Sequence, residues 1–344
     1  MPARRCRLAL LGFGTVGSAV ARRLVGPDLF PGLALTHILD RRAALKQAQH
    51  PDLAHVAWTT SIDDVLRSDV DVVVETIGGV DPAASWIGAA LAAGKSVVTA
   101  NKQVVAREGA RLLRIAERQG RQLRFEAAVG GAMPIVRAVG EGLAGDRITR
   151  IVAILNGTTN AVLSQMEATG CALDAALAAA RARGLAEADP SADLDGDDAC
   201  AKLAILCALA FGVRVEPAQI PVRTCSAIAP ADLAAARRDR CTIRQIARAE
   251  FDYARARLTA SVAPERVAQT SIFARTIGPE NAALITGAHS GETGIFGVGA
   301  GGDATSVAIL SDIVAIARDR AAIVPAPHLI SAFRVERSEL EVAC

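Results

Sequence analysis

The sequence predicts an α/β fold, a doubly wound parallel sheet followed by a second domain of the α+β class, and three observations predict it. The apolar run Cys6 to Leu11 passes straight into Gly12-Phe13-Gly14-Thr15-Val16-Gly17 and then into the helical pattern AVARRL. Strand-like and helix-like segments alternate from there to about residue 130, as they do when a parallel sheet carries helices on both faces. After that point the alternation stops, and β runs and helices follow in no fixed order. At 344 residues the chain is long enough to bury two cores.

The first strand and glycine turn have the order that a dinucleotide fingerprint requires. Gly12 permits the tight turn, Gly14 lets backbone approach a pyrophosphate, and Gly17 allows close packing of the helix, whose free N–H groups face the phosphates. A second strand, Leu33 to Leu39, ends at Asp40, about twenty residues further on, where an acid accepts hydrogen bonds from the adenine ribose. Arg41 and Arg42 follow at once and can hold the 2′-phosphate of NADP, so the cofactor is NAD or NADP.

Ser61 to Asp64 opens a helix, and Val70 to Val74 is a central parallel strand closing on Glu75-Thr76. Asp81-Pro82 caps a helix that Gly94 ends. Ser96 to Ala100 is the next strand, and it delivers Asn101-Lys102 at its carboxyl end, where ligands bind in open α/β sheets. A lysine is a poor choice for a helix start on dipole grounds, which favours a functional role. A helix over 108–119 and a strand over 123–126 complete the first domain. Beyond it, Ile148 to Leu155 is a β run, Asn156-Gly157-Thr158-Thr159-Asn160 opens a helix, and a further helix spans 174–183. Further β runs fall near 222–227, 242–249 and 254–263, and the glycine-rich GVGAGG at 297–302 precedes a helix over 305–318.

The stretch from Gly184 to Leu206, GLAEADPSADLDGDDACAKLAIL, is the most chemically dense part of the chain. Its helix starts near Asp197 and is apolar on most of its circumference, so Lys202 is not in open water. Asp198 lies four residues earlier on the same face and can pair with the ammonium. Desolvation lowers a lysine pKa toward values useful in proton transfer, and the acids Glu187 and Asp193 in the preceding loop suit a substrate carrying an amine or hydroxyl.

Composition excludes other classes. Hydrophobic residues make up 51%, charged residues 22% and aromatics 3%, with a formal net charge of +2, so neither a basic face nor a stacking platform for nucleic acid is implied. No apolar run approaches the ~20 residues of a membrane span. The seven cysteines form no CxxC pair or metal-ligand spacing and fit reduced thiols in the cytoplasm. The start, MPARRCRLALLGFG, imitates a signal peptide but runs into the glycine turn and is read as a strand. Cys344 is the last residue, which leaves no prenylation motif.

Taken together, GFGTVG, VVVETIGG at 72–79, GKSVVTANK at 94–102, FEAAVGGAMP at 125–134, LNGTTN at 155–160 and the acidic stretch resemble homoserine dehydrogenases. The resemblance implies a Rossmann-type dinucleotide-binding domain (1–132), a mixed-sheet substrate-binding and dimerisation domain (133–300), and a C-terminal helix returning to the first domain (301–344). It implies Lys102 and Lys202 as catalytic lysines, Asp198 supporting the second, and Glu187, Asp193, Gly157 and Thr158 around the substrate. The cofactor would lie along Gly12, Phe13, Gly14, Thr15, Val16, Gly17, Asp40, Arg41, Thr76, Asn101, Lys102 and Gly301. Glu126, with the carbonyls of Val129, Gly131 and Met133, would hold a sodium-like cation. The chain departs from the family pattern at Leu185, where a tyrosine is usual, and at Val298 and Ala304, which replace prolines. It stops at Cys344, short of the regulatory domain that longer relatives append, so feedback inhibition through such a domain is not expected.

Two further readings stand beside this one. Leu185 leaves room for an oxidoreductase acting on another small amino or hydroxy acid. A noncatalytic dinucleotide sensor would keep GFGTVG but have no reason to keep Lys102, Asp198 and Lys202 together. A thioester-forming aldehyde dehydrogenase would need an activated cysteine, and no cysteine here has a basic partner within a motif.

Overall fold

The computed structural model describes residues 5–26, 30 and 32–318. They divide into two compact units, one of residues 5–132 with 301–318 and one of residues 133–300.

The first unit begins with β1 (Cys6–Leu11), α1 (Thr15–Val25), β2 (Leu33–Leu39), α2 (Ala43–Gln49), β3 (Ala57–Thr59) and α3 (Ile62–Arg67). It continues with β4 (Val72–Glu75), α4 (Ala83–Ala92), β5 (Ser96–Thr99), α5 (Lys102–Arg118) and β6 (Leu123–Arg124). The strands pair in parallel in the order β3-β2-β1-β4-β5-β6, the arrangement of dinucleotide-binding sheets with its switch point between β1 and β4. Central β4 is buried along its whole length, which is why Val72 to Val74 read as an apolar run before the buried Glu75. The helix expected over 108–119 starts six residues earlier, because the Asn101 side chain accepts from Val104 N–H and caps it there. The strand expected over 123–126 is two residues long and gives way to a 3₁₀ turn at Glu126–Ala128.

The second unit contains α6 (Ile135–Arg137), β7 (Ile148–Ile154), α7 (Gly157–Thr169), α8 (Leu173–Ala182), α9 (Ser191–Leu194), α10 (Asp197–Phe211) and α11 (Pro230–Arg238). Then come β8 (Cys241–Asp252), β9 (Arg257–Ala268), α12 (Ile272–Arg275), β10 (Glu280–Gly287) and β11 (Gly291–Val298). Its sheet runs β11-β10-β7-β8-β9 and every named strand pair in it is antiparallel. The parallel character of a mixed sheet is confined to one bridge, Val222 to Val262. That bridge is all that forms of the β run expected near 222–227, and the strand expected at 254–263 is shifted to 257–268 by the turn at 253–256. The hairpin β10–β11 was not expected from the sequence, where its glycines mask the alternation.

Helix α10 packs on β7 and β8 and buries most of its circumference, Ala199, Cys200, Leu203, Ile205, Leu206 and Cys207 included, as its composition requires. The final helix, α13 (Gly302–Ala317), belongs to the first unit: it packs against α1, and its Ile309, Leu310 and Ile313 join the core of Leu8, Leu10, Val20, Val72 and Val98. The part of the expected C-terminal segment beyond residue 318 lies outside the described residues. No helix among the described residues is long and apolar enough to cross a membrane.

Candidate active site

The glycine turn of the first unit is closed on one side and open on the other. Gly12 has φ +92°, and a Cβ there would meet the Thr76 carbonyl oxygen at 3.0 Å. On Gly17 a Cβ would lie 2.1 Å from the Gly12 carbonyl oxygen, so both positions exclude any side chain. Around Gly14, the residue preceding α1, nothing stands within 4 Å of a Cβ. The first helical hydrogen bond runs from Ser18 N–H to Gly14, so the amides of Thr15, Val16 and Gly17 stand before the ladder at the positive end of the helix. An open backbone beside helix-end donors fits a pyrophosphate. Thr76 braces the turn, its hydroxyl donating to the carbonyls of Leu11 (3.1 Å) and Gly12 (3.0 Å). Gly301 precedes α13, and a Cβ on the adjacent Gly302 would meet Thr15 Cγ2 at 3.0 Å, so the two glycine-rich helix starts lie side by side.

Asp40 sits at the end of β2, as the ribose-binding role requires, but it is already engaged. Phe13 N–H donates to Oδ2 (3.0 Å), Arg42 N–H donates to Oδ1 (2.8 Å), and Lys46 Nζ lies 2.5 Å from Oδ2 while also donating to the Phe13 carbonyl (2.7 Å). Burial pushes this carboxyl upward, yet the Lys46 ammonium and the two backbone donors outweigh it and hold its pKa below the ordinary value. Phe13 is buried edge-on against His50 and Trp58, each with ring centroids 4.9 Å away. Arg41 is exposed.

At the carboxyl ends of β4 and β5, buried Glu75 accepts from Ile77 N–H (2.7 Å), Gly78 N–H (3.2 Å) and the Thr99 hydroxyl (2.5 Å). Asn101 Nδ2 donates to the Gly79 carbonyl (2.6 Å). These bonds fix the 76–79 loop and the start of α5, where Lys102 is the first helical residue and half-buried. Glu126 is buried and its N–H donates to Asp312 Oδ2 (2.9 Å) on α13. Among the described residues no group of three His, Cys, Asp or Glu side chains is placed to hold a metal, so a cation near Glu126 would depend on carbonyl donors.

The second unit gathers the other chemistry at the starts of α7 and α10. Lys202 Nζ lies 2.8 Å from Asp198 Oδ2, one helical turn earlier, and donates to the Leu155 carbonyl at 2.7 Å. Both side chains are nearly buried, at 12% and 9% exposure, so this is no solvated surface pair. Asn156 Nδ2 donates both to Asp193 Oδ1 (2.7 Å) and to Asp198 Oδ2 (2.8 Å). Burial raises the Asp193 pKa, the Asp198 charge adds to the rise, and Asn156, Lys202 and Thr158 oppose it. The Thr158 hydroxyl donates to the Leu185 carbonyl (2.8 Å), and Gly157 passes so near Pro279 that a Cβ would lie 2.7 Å from its carbonyl oxygen. Lys202, Asp198, Asp193, Gly157 and Thr158 are therefore brought together. The Glu187 side chain is exposed, in a loop whose Glu187 and Ala188 carbonyls are held by Arg181. Leu185 turns into the core of α7, α8 and α11 and offers no polar group.

The sequence reading missed Lys46, Glu75 and Asn156 as members of these sites. Lys46 carried a signal, a lysine within the short helix α2 that directly follows Asp40. Asn156 stood out only as a helix start, because its two acids lie 37 and 42 residues away.

The homoserine dehydrogenase family model matches residues 134–314, and the model of the homoserine dehydrogenase NAD-binding domain matches residues 12–126. A homoserine dehydrogenase of Mycobacterium leprae is 41% identical over 327 residues, covering 92% of this chain and 73% of the relative. The enzyme of Corynebacterium glutamicum is 38% identical, covering 93% and 73%. The crystal structure of a homoserine dehydrogenase from Thiobacillus denitrificans superposes with a TM-score of 0.87 at 32% identity, over 97% of this chain and 80% of that one. A hyperthermophilic archaeal homoserine dehydrogenase in complex with NADPH has a TM-score of 0.75 at 26% identity, over 90% and 97%.

Proposed function

The chain belongs to the homoserine dehydrogenase family, an NAD(P)-dependent oxidoreductase interconverting aspartate 4-semialdehyde and homoserine, and we propose the residues that carry the reaction. The observation that carries the assignment is the nearly buried Lys202–Asp198 pair, anchored a second time on the Leu155 carbonyl. We assign residues 1–132 to the dinucleotide-binding domain and 133–300 to the substrate-binding and dimerisation domain; of the C-terminal segment 301–344, the described part, residues 301–318, belongs with the first unit.

When bound, the nicotinamide supplies or accepts hydride. An ammonium has three donors, and Asp198 and Leu155 engage two of those on Lys202, leaving one for the substrate oxygen. Lys202 or Lys102 gives a proton to the carbonyl oxygen of the semialdehyde as it is reduced and removes it from the hydroxyl in the reverse direction. Asp198 orients Lys202. Asp193 and Glu187 hold the amino and hydroxyl ends of the substrate, and the backbone at Gly157-Thr158 lines the same pocket. The test is reduced-nicotinamide absorbance with homoserine and NAD or NADP at alkaline pH; a signal with another hydroxy acid and none with homoserine would overturn the substrate assignment.

We infer use of both cofactors with a modest NAD preference. Asp40 repels a 2′-phosphate, but Lys46 at 2.5 Å offsets its charge and exposed Arg41 and Arg42 attract one. Glu126 with the carbonyls of Val129, Gly131 and Met133 would take a sodium-like cation, since one carboxylate and three carbonyls suit a hard ion of low charge. Activity compared in sodium, potassium and choline salts at equal ionic strength tests that reading. We place the enzyme in the cytoplasm and infer a homodimer through the second unit, whose edge strand β11 exposes Phe296 and Val298. Light scattering on the wild type and Phe296→Asp tests it: a dimer that Phe296→Asp splits is expected, and an unchanged assembly contradicts the surface.

A further inference from the structure

The end of β7 holds the whole acid–lysine cluster through two consecutive residues. The Leu155 carbonyl takes the Lys202 ammonium, and the Asn156 side-chain amide takes Asp198 and Asp193. We propose that Asn156 is a positioning residue for the reaction, its single amide nitrogen bridging the two carboxylates and setting their spacing for a cationic substrate. This rests on the reading of Asp193 and Asp198 given above.

The amide can face only one way. Asn156 Oδ1 accepts from Thr159 N–H at 2.7 Å and caps α7, so a flipped amide would set its NH₂ against that N–H and its oxygen against two carboxylates. Both N–H donors and the acceptor are thus committed, with the residue 4% exposed. The neighbours of Asn156 grip the same loop: the Thr159 hydroxyl donates to the Asp193 carbonyl (2.9 Å) and the Thr158 hydroxyl to the Leu185 carbonyl (2.8 Å). Two acids side by side, Asp198 buried and Asp193 half-buried, repel, and the Asp198 charge adds to the rise that burial imposes on the Asp193 pKa. Facing Asp193 are Asp198 and Lys202 from α10, Thr158 and Asn156 at the start of α7, and Gln245 of β8, whose amide donates to the Asp193 carbonyl (3.1 Å). The bridging amide offsets part of the burial and repulsion at both acids at once. A residue with a single donor, such as serine, cannot do so from this position.

Asn156→Ser keeps a good helix cap and removes the bridge. We expect native circular dichroism, wild-type dinucleotide affinity, a KM for homoserine raised about tenfold, and an acid limb of kcat/KM displaced about one pH unit upward, the scale of a lost hydrogen bond to a charged group. Asn156→Asp also keeps the cap and replaces two donors by a charge, so its acid limb should move further still; it serves if the serine variant does not fold. Either folded variant showing the wild-type acid limb and KM would overturn the proposal. Asp193→Ala and Asp198→Asn, measured alongside, separate the two levels: if they too are wild type, the acids themselves are wrongly assigned, whereas impaired acid variants beside a wild-type Asn156 variant sink only the bridge.

Discussion

Gly17 packs so closely beneath Gly12 that a Cβ on the former would stand 2.1 Å from the carbonyl oxygen of the latter, whereas Gly14, between them, has open space where its Cβ would be. The same short motif therefore contains two glycines required by the protein's own packing and one available to a ligand.

The two kinds separate on substitution. Gly17→Ala forces α1 away from the turn and should cost about 1–3 kcal/mol of stability, the usual scale of overpacking. Gly14→Ala should melt near the wild type yet bind dinucleotide at least about tenfold more weakly, because a methyl intrudes where a pyrophosphate approaches. Melting curves with titrations of NAD check both, and a Gly14→Ala protein of wild-type affinity would contradict the placement of the phosphates.

At the ribose end, Asp40→Ser removes the negative charge and leaves Lys46 without its carboxylate partner. The ratio of kcat/KM for NADP to that for NAD should rise, and Lys46→Gln should lower it. An unchanged ratio in Asp40→Ser means that Asp40 does not face the ribose.

Asp193 should show function and stability in opposition. Its folded pKa is raised, chiefly by burial, so the native state binds this proton more tightly than the unfolded chain does. The ionised carboxylate thus costs stability above the raised pKa, and the cost disappears as pH falls below the ordinary carboxylate value. Asp193→Asn should melt higher than the wild type at neutral pH and no higher in acid, while its KM for homoserine rises. A variant destabilised at neutral pH would show that the carboxylate contributes net stability.

Most of the first unit was legible because its cues are local: a glycine turn between a strand and a helix, and the apolar run of β4, buried on both faces. The acid–lysine pair was legible for the same reason, since Asp198 and Lys202 are one turn apart on one helix. What escaped depends on distant contacts. The β10–β11 hairpin gains its register from pairing with β7, more than a hundred residues earlier, and glycines blur its alternation. Asn156 belongs to its site only because folding brings Asp193 and Asp198 to it from 37 and 42 residues away, which no spacing rule spans; Lys46, by contrast, stands close to Asp40 in sequence and its signal was local. Leu185 reads as a missing polar contact, and what the sequence did not show is where its side chain goes: it is partly buried against the core of α7, α8 and α11.

If a lysine of this chain moves the proton, as proposed above, Lys202→Ala separates turnover from cofactor binding when kcat and dinucleotide affinity are measured on the same preparation. Near-normal affinity is expected with kcat lowered ~10²–10⁴-fold, the contribution of a positioned acid or base, together with a parallel loss in Lys102→Ala and a smaller one in Asp198→Asn, which keeps the ammonium. Wild-type turnover in both lysine variants, beside a loss in the acid variants, would contradict the proposal and move the proton to a carboxylate or a bound water.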